Sequence, residues 1–133
     1  MKWIRKILIS LCLLPFLLIA ALVIFELFGM CVNHIATARQ TNQLKKVLAK
    51  EIGDIEILDI YSVTGNTSGT GNHVDCMSVA TFSTAKQQTE IENILSEYYE
   101  LNEWTCFVTS SEDGAFTFCL ITSAPFRDNI EGH

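Results

Sequence analysis

Residues 52–133 contain very little basic charge. Only Lys86 and Arg127 are basic in this part, against thirteen Asp and Glu, which gives a formal charge of −11. Proteins that bind nucleic acids do so mainly by neutralising phosphates with Lys and Arg. The composition therefore excludes nucleic-acid binding by this part of the chain, and we predict no nucleic-acid partner.

Charge of either sign is missing from a long segment near the N-terminus. Residues 7–25 contain no charged side chain, and residues 7–32 contain one, Glu26. About 20 apolar helical residues cross a bilayer core of ~30 Å, whereas the apolar core of a cleaved signal peptide is about 7–15 residues long. We therefore predict that residues 1–33 form a basic n-region and an uncleaved transmembrane signal anchor.

Two groups of basic residues flank this span and argue for opposite orientations. Lys2, Arg5 and Lys6 lie directly before it, whereas a second group follows within about twenty positions of its end. The second group consists of Arg39, Lys45, Lys46 and Lys50. Because the N-terminal extension is too short to form a domain, we predict a single-pass protein of the cell membrane with its N-terminus cytoplasmic and its C-terminal domain outside.

Two residues inside the span are unusual for a membrane helix. Pro15 removes one backbone hydrogen bond and predicts a kink. Glu26 places a carboxylate in an apolar environment, which points to a functional site with a partner. The alternative is that Glu26 reaches the interface or is protonated, since it lies only six residues before Val32.

The segment around Glu26 also resembles the N-terminus of type IV pilins and pseudopilins. These proteins have a hydrophobic N-terminal helix with Glu at the fifth mature position, and the helix continues into an amphipathic stem and a small sheet. Cleavage after Ala21 would make Glu26 fifth, in Leu22-Val23-Ile24-Phe25-Glu26. Residues 12–21 depart from the family pattern, because they are apolar where a pilin leader is polar and basic. The resemblance implies a structural subunit of a membrane assembly.

The remainder of the chain predicts a small α+β domain. Apolar residues at helical spacing (Ile35, Ala38, Leu44, Val47, Leu48, Ile52) predict an amphipathic stem helix over residues 34–53. Strands are predicted at residues 55–63, 74–82, 104–109 and 116–122, with a loop at 64–73 and a helix that begins near Ser83 or Thr84. We predict a helix-strand-strand-helix-strand-strand domain over residues 54–123 with a four-stranded antiparallel sheet, followed by a C-terminal tail at 124–133.

The last two strands form the clearest predicted hairpin, because Asp113-Gly114 lies between two apolar runs. A four-residue loop at 111–114 would place Cys106 directly opposite Cys119. A two-residue loop would make the two cysteines diagonal, and a three-residue loop would put them on opposite faces of the sheet.

These registers decide whether a disulfide can form. In an oxidising compartment we predict Cys106–Cys119 as the candidate disulfide, with Cys76–Cys119 as a second pairing. The alternative is that all three are small buried hydrophobic residues with free thiols.

The sequence contains no motif of a catalytic or cofactor site. The glycine-rich loop lacks Gly-Lys-Ser/Thr, the three histidines are dispersed, and Cys-x-x-Cys does not occur. We therefore predict no catalytic activity, no metal and no cofactor.

The combined pattern predicts a membrane-anchored interaction module whose acidic domain binds another membrane or envelope protein. Aromatic side chains on an exposed sheet face or edge are the candidate contacts: Tyr61, Trp104, Phe107, Phe116 and Phe118. Most aromatic residues must lie in the core for the domain to fold. The alternative function is a structural subunit of a membrane or envelope assembly that uses Pro15 and Glu26 in helix–helix contacts. The oligomeric state is not predicted.

Overall fold

The computed structural model describes residues 2–69 and 71–133. Met1 of the predicted n-region and Thr70 of the predicted 64–73 loop lie outside the described residues. The elements are α1 (Lys2–Val47), a π-helical turn (Leu48–Ile52), β1 (Glu56–Gly65), β2 (Asp75–Ser83), α2 (Gln88–Ser96), β3 (Cys106–Ser110), β4 (Phe116–Ser123) and a short 3-10 helix (Ile130–Gly132).

A single helix forms both the apolar segment and the stem. It runs through Pro15 without interruption and ends after the π-helical turn at Gly53, whose φ of +78° favours glycine. The side chains of residues 2–25 are exposed, whereas from Gly29 onward one side of the helix packs against the rest of the chain, with Gly29, Asn33, Thr37 and Leu44 buried. The first half of α1 therefore projects from the domain, and the second half belongs to it.

The four strands form one antiparallel sheet in the order β1-β2-β4-β3. Each of the two helices is followed by a hairpin, α1 by β1 and β2 and α2 by β3 and β4. The two hairpins pair with each other through β2 and β4, the central strands of the sheet. A bulge at Leu58 interrupts the edge strand β1. The α+β class and the four-stranded antiparallel sheet are as the sequence predicts.

Both helices pack on one face of the sheet, which we call the covered face. Phe82 and Phe118 point from β2 and β4 into this core and are fully buried. The end of α1 contributes Leu44, the π-helical turn contributes Leu48 and Ile52, and α2 contributes Ile91 and Leu95. A fully buried aliphatic or aromatic side chain stabilises the folded state by about 1.5–3 kcal/mol, so this cluster is the main source of stability.

The contact that residues 37–41 of α1 make with the sheet is polar. The Gln40 amide nitrogen donates to the carbonyl oxygens of Cys76 (2.9 Å) and Leu120 (3.1 Å), and the Thr64 hydroxyl donates to Thr37 Oγ1 (2.7 Å). The predicted apolar stripe of the stem is wrong here, since Ile35 is 52% exposed and Ala38 is also exposed. Buried Asn33 and Thr37 replace them because their side chains satisfy backbone or hydroxyl groups that an apolar residue would leave unpaired.

The start of α2 also differs from the prediction. The helix begins at Gln88, preceded by extended Gln87, rather than next to Ser83 or Thr84. Ser83 is the last residue of β2, and the Thr84 hydroxyl accepts a hydrogen bond from the Lys86 amide in the connecting turn. The pairing of Ser83 with Glu56 extends the strand by one residue and delays the helix.

Residues 124–133, predicted as a tail, lie against α1, and we call them the C-terminal segment. Asn33 makes two hydrogen bonds of 2.9 Å with the backbone of Phe126, one to its carbonyl oxygen and one from its amide. The Phe126 ring makes edge contacts with Phe25 and Phe28, at 5.8 Å between centroids in each case. This segment joins the last strand to the point where α1 leaves the domain.

Glu26 has its partners in the C-terminal segment. One carboxylate oxygen accepts hydrogen bonds from the Asn129 side chain (2.8 Å) and from the Ile130 amide (3.0 Å). The carboxylate therefore lies where the exposed apolar helix ends and the packed domain begins. These hydrogen bonds give the Glu26 side chain polar partners within the chain, beside an apolar segment that offers none.

Candidate functional site

The face of the sheet opposite the helices is the candidate interaction surface, and we call it the open face. The strand register arranges its side chains in rows across the four strands. The two middle rows are apolar and consist of Tyr61, Val79, Cys119 and Phe107, followed by Val63, Met77 and Ile121. The row above them, toward the end of β2, is polar and consists of Asp59, Thr81, Thr117 and Thr109. The row below them, at the start of β2, contains Asp75 and Ser123.

The apolar rows are most accessible at the β1 edge. Tyr61 is 47% exposed and Val63 is 39% exposed, whereas Val79 and Cys119 are buried between their neighbours. Contiguous exposed apolar side chains rimmed by polar residues are typical of protein interaction sites. The open face therefore has the composition of a docking surface.

A groove of about 720 Å³ lies at the lower end of the open face, near the 66–73 loop. Its lining combines hydroxyl groups, a carboxylate, an imidazole and an indole: Thr67, Ser68, His73, Asp75, Trp104, Thr105, Ile121, Thr122 and Ser123. The volume is that of a small-ligand pocket.

Asp75 is the most buried charged side chain of the groove, at 3% exposure. Its Oδ2 accepts hydrogen bonds from the Thr67 hydroxyl (3.1 Å) and the Ser68 amide (3.3 Å), and its Oδ1 lies 3.0 Å from His73 Nε2. These contacts connect Thr67, Ser68 and His73 to the start of β2.

The Ser68–His73–Asp75 cluster does not have the geometry of a catalytic triad. Ser68 Oγ lies 3.4 Å from His73 Nε2, the same nitrogen that faces Asp75. A triad needs the carboxylate on one imidazole nitrogen and the hydroxyl on the other. Among residues 2–69 and 71–133, moreover, no three His, Cys, Asp or Glu side chains come together as a metal site would require.

Trp104 stands at the opposite wall of the groove and is 81% exposed. The Asn102 side-chain oxygen accepts hydrogen bonds from the amides of Trp104 (2.9 Å) and Thr105 (2.7 Å). This Asx turn fixes the backbone of Trp104 before β3 begins. The exposed indole offers a large amphipathic contact area at this wall of the groove.

The predicted disulfide Cys106–Cys119 is not present. All five cysteines fall within the described part of the chain, and each is a free thiol. Ser110 pairs with Phe116 rather than Ala115, so Cys106 lies opposite Leu120 and points to the covered face, while Cys119 points to the open face. Cys76 pairs with Thr122 and also points away from Cys119, so the second pairing is not formed either.

Burial controls the chemistry of these thiols. Burial, reinforced by the neighbouring Cys119, raises the pKa of Cys106 to about 11, and burial likewise raises the pKa of Cys119. Both thiols are protonated at neutral pH and are therefore poor nucleophiles.

The aromatic residues selected from the sequence divide into two groups. Tyr61 and Phe107 lie on the open face, and Trp104 lines the groove. Phe116 and Phe118 lie in the core of the covered face, at 8% and 0% exposure, and are not accessible to a partner. The sequence analysis missed His73 and Asp75 as groove residues, although their spacing of two next to a strand start was a visible signal.

Comparison with known proteins does not add a family to this description. No family model, no curated protein and no solved structure matches the chain.

Proposed function

We propose that this protein is a single-pass membrane-anchored binding module that presents its acidic domain outside the cytoplasmic membrane to a basic protein partner. The observation that carries the proposal is the open face, a pair of apolar rows left uncovered by both helices and attached to a long exposed apolar helix. We expect no catalytic step.

The exposed part of α1 supports the anchor. Residues 7–25 are apolar and exposed, and at 1.5 Å per residue they extend about 29 Å, close to the thickness of a bilayer core. Glu26 and the C-terminal segment follow immediately, so the domain sits directly on the membrane surface.

The continuity of α1 also bears on orientation. Lys45, Lys46 and Lys50 are exposed on the same unbroken helix, about 30 Å or more beyond Glu26. This distance is several times the screening length of about 8 Å at physiological ionic strength, so these residues lie too far from lipid headgroups to interact with them. Arg39 lies about 20 Å beyond Glu26 by the same measure, so Lys2, Arg5 and Lys6 are the basic residues nearest the span, which supports a cytoplasmic N-terminus.

The partner is assigned by charge complementarity. Residues 52–133 carry a formal charge of −11, with Asp59 above the apolar rows and Asp75 below them. An acidic domain attracts a positively charged surface, speeds its association and repels acidic proteins. The proposed occupant of the open face is therefore a protein surface with Lys and Arg around an apolar centre.

Orientation is tested with two introduced cysteines in a Cys12→Ser, Cys31→Ser background. Glu112→Cys lies in the exposed hairpin loop, and Trp3→Cys precedes the span without changing the N-terminal charge. We expect a membrane-impermeant maleimide to label Glu112→Cys in intact cells within minutes, and Trp3→Cys only after permeabilisation. The three domain thiols stay unlabelled because they are buried. The reverse pattern would refute an external domain.

Binding is tested by photo-crosslinking from matched tyrosine positions. Tyr61, 47% exposed on the open face, and Tyr98, 45% exposed after α2, are each replaced by a photoreactive phenylalanine in the full-length protein in its native membrane. We expect an adduct from position 61 at several times the yield from position 98. The crosslinked peptide should be rich in Lys or Arg, and the yield should fall at 0.5 M salt.

Two other results would count against the proposal. Equal yields from both positions, or an acidic crosslinked peptide, would show that the open face is not a site for a basic partner. An adduct between two copies of this chain would instead favour the structural-subunit function, to which the continuous helix and its packing on a small sheet are also suited.

A further inference from the structure

We propose that the groove between Trp104 and the 66–73 loop is a binding site for the cationic side chain of an Arg or Lys from the partner. This inference rests on the proposed function and names the part of the partner that the lower end of the open face receives. Three features of the groove support it.

The first feature is the buried carboxylate of Asp75. Each carboxylate oxygen has two lone pairs. Oδ2 is occupied by the donors of Thr67 and Ser68, whereas the neighbour of Oδ1 is His73 Nε2, which leaves Oδ1 with a lone pair for a further donor. A carboxylate at 3% exposure binds a cation more strongly than a surface carboxylate does, because water competes less.

The second feature is the indole of Trp104, which lines the same cavity. A cation that lies over an aromatic face within about 6 Å is attracted by the ring, and tryptophan is the strongest partner. The Asn102 turn fixes the backbone position from which this ring extends. A guanidinium group is suited to such a site, since it stacks on aromatic rings and donates five hydrogen bonds.

The third feature is the remainder of the lining. Ile121 offers apolar surface for an aliphatic stem, and Thr105 and Ser123 offer hydroxyl oxygens as acceptors. The lining contains neither Lys nor Arg within the described residues, so a phosphate or carboxylate would find no ammonium or guanidinium group there. Residues 52–133 carry a formal charge of −11 as a whole, so the electrostatic field of the domain favours a cation over an anionic ligand.

The test uses Trp104 as its own reporter. The chain has two tryptophans, so Trp3→Phe in the full-length protein in detergent micelles leaves Trp104 alone. We expect N-acetyl-arginine amide to change the Trp104 fluorescence in a saturable manner in the millimolar range. The uncharged isostere N-acetyl-citrulline amide should bind at least fivefold more weakly, and 0.5 M salt should weaken the binding of the arginine amide.

Two variants locate the site. Asp75→Asn keeps an acceptor for Thr67 and Ser68 but removes the charge, and should weaken binding of the arginine amide at least fivefold. Ser123→Lys leaves Asp75 unchanged, so its effect cannot come from a loss of folding caused by the Asp75 substitution. Ser123 is exposed and pairs with Asp75 across the strands, which places the new side chain at the groove. Its ammonium group should occupy the groove and abolish the fluorescence change.

Other outcomes would contradict the cationic site or the proposed function. No saturation with arginine amide, or equal affinity for citrulline amide, would overturn the cationic site. Saturation by maltotriose alone would indicate a neutral saccharide site instead. An adduct from position 61 that persists undiminished in Ser123→Lys would refute the groove while leaving the proposed function intact. A positive titration without any adduct would refute the proposed function alone.

Discussion

Replacing Phe118 by alanine is expected to lower the free energy of unfolding by about 3–5 kcal/mol. The Phe118 side chain is fully buried on the covered face, where its ring centroid lies 5.3 Å from that of Tyr99. Truncation removes this contact and leaves a cavity between the sheet and the helices that rigid neighbours cannot fill. Chemical denaturation of the detergent-solubilised protein, followed by circular dichroism, measures the loss.

Phe107→Ala is the matched control for this substitution. Phe107 lies on the open face in a neighbouring strand and is only partly buried, so its truncation should cost about 1 kcal/mol or less. Equal losses in the two variants would mean that both faces of the sheet are covered, and the open face would then not be a free surface.

Replacing Asn33 by leucine is expected to detach the C-terminal segment and to destabilise the protein by about 2–4 kcal/mol. The fully buried Asn33 side chain pairs with both the amide and the carbonyl of Phe126. Leucine has a similar size but offers neither donor nor acceptor, so two backbone groups lose their partners. Faster hydrogen exchange and proteolysis within residues 124–133 should report the detachment.

Asn42→Leu supplies the control, because Asn42 is an exposed asparagine on the same helix. It should leave both the exchange rates and the unfolding free energy within about 0.5 kcal/mol of the unmodified protein. If Asn33→Leu behaved in the same way, the C-terminal segment would be held by its ring contacts rather than by this asparagine.

The strands could be predicted from the sequence to within two residues, because apolar and β-branched residues cluster between turn signals. The predicted 116–122 strand, for example, is observed at Phe116–Ser123. The long apolar run and the absence of a break before Gly53 likewise predict that the stem can continue the first helix. These features are local, so a single sequence contains them.

The stem helix shows why local patterns are insufficient for packing. A search for apolar periodicity selects Ile35 and Ala38, yet the residues that face the rest of the chain are buried Asn33 and Thr37 and partly buried Gln40. Their burial depends on acceptors and donors in β2, β4 and the C-terminal segment, at separations of up to 93 residues. No local signal reports such partners.

The β3–β4 hairpin shows that local patterns are also insufficient to predict which side chains meet at the candidate site. The Asp113-Gly114 turn correctly locates the reversal, but a shift of one residue in register sends Cys106 and Cys119 to opposite faces. The groove likewise combines the 66–73 loop with Trp104, which are distant in sequence and meet only through the pairing of β2 with β4.

The hydrogen bonds of Glu26 have a consequence for the order of folding. They join residues 103 positions apart, so they form only after the sheet has brought the two ends of the domain together. In the proposed membrane-anchored form, the Glu26 carboxylate would until then face the apolar boundary of the bilayer without its donors. Formation of this contact joins the exposed part of α1 to the completed domain, so the proposed anchor would take up its final position only after the sheet has formed.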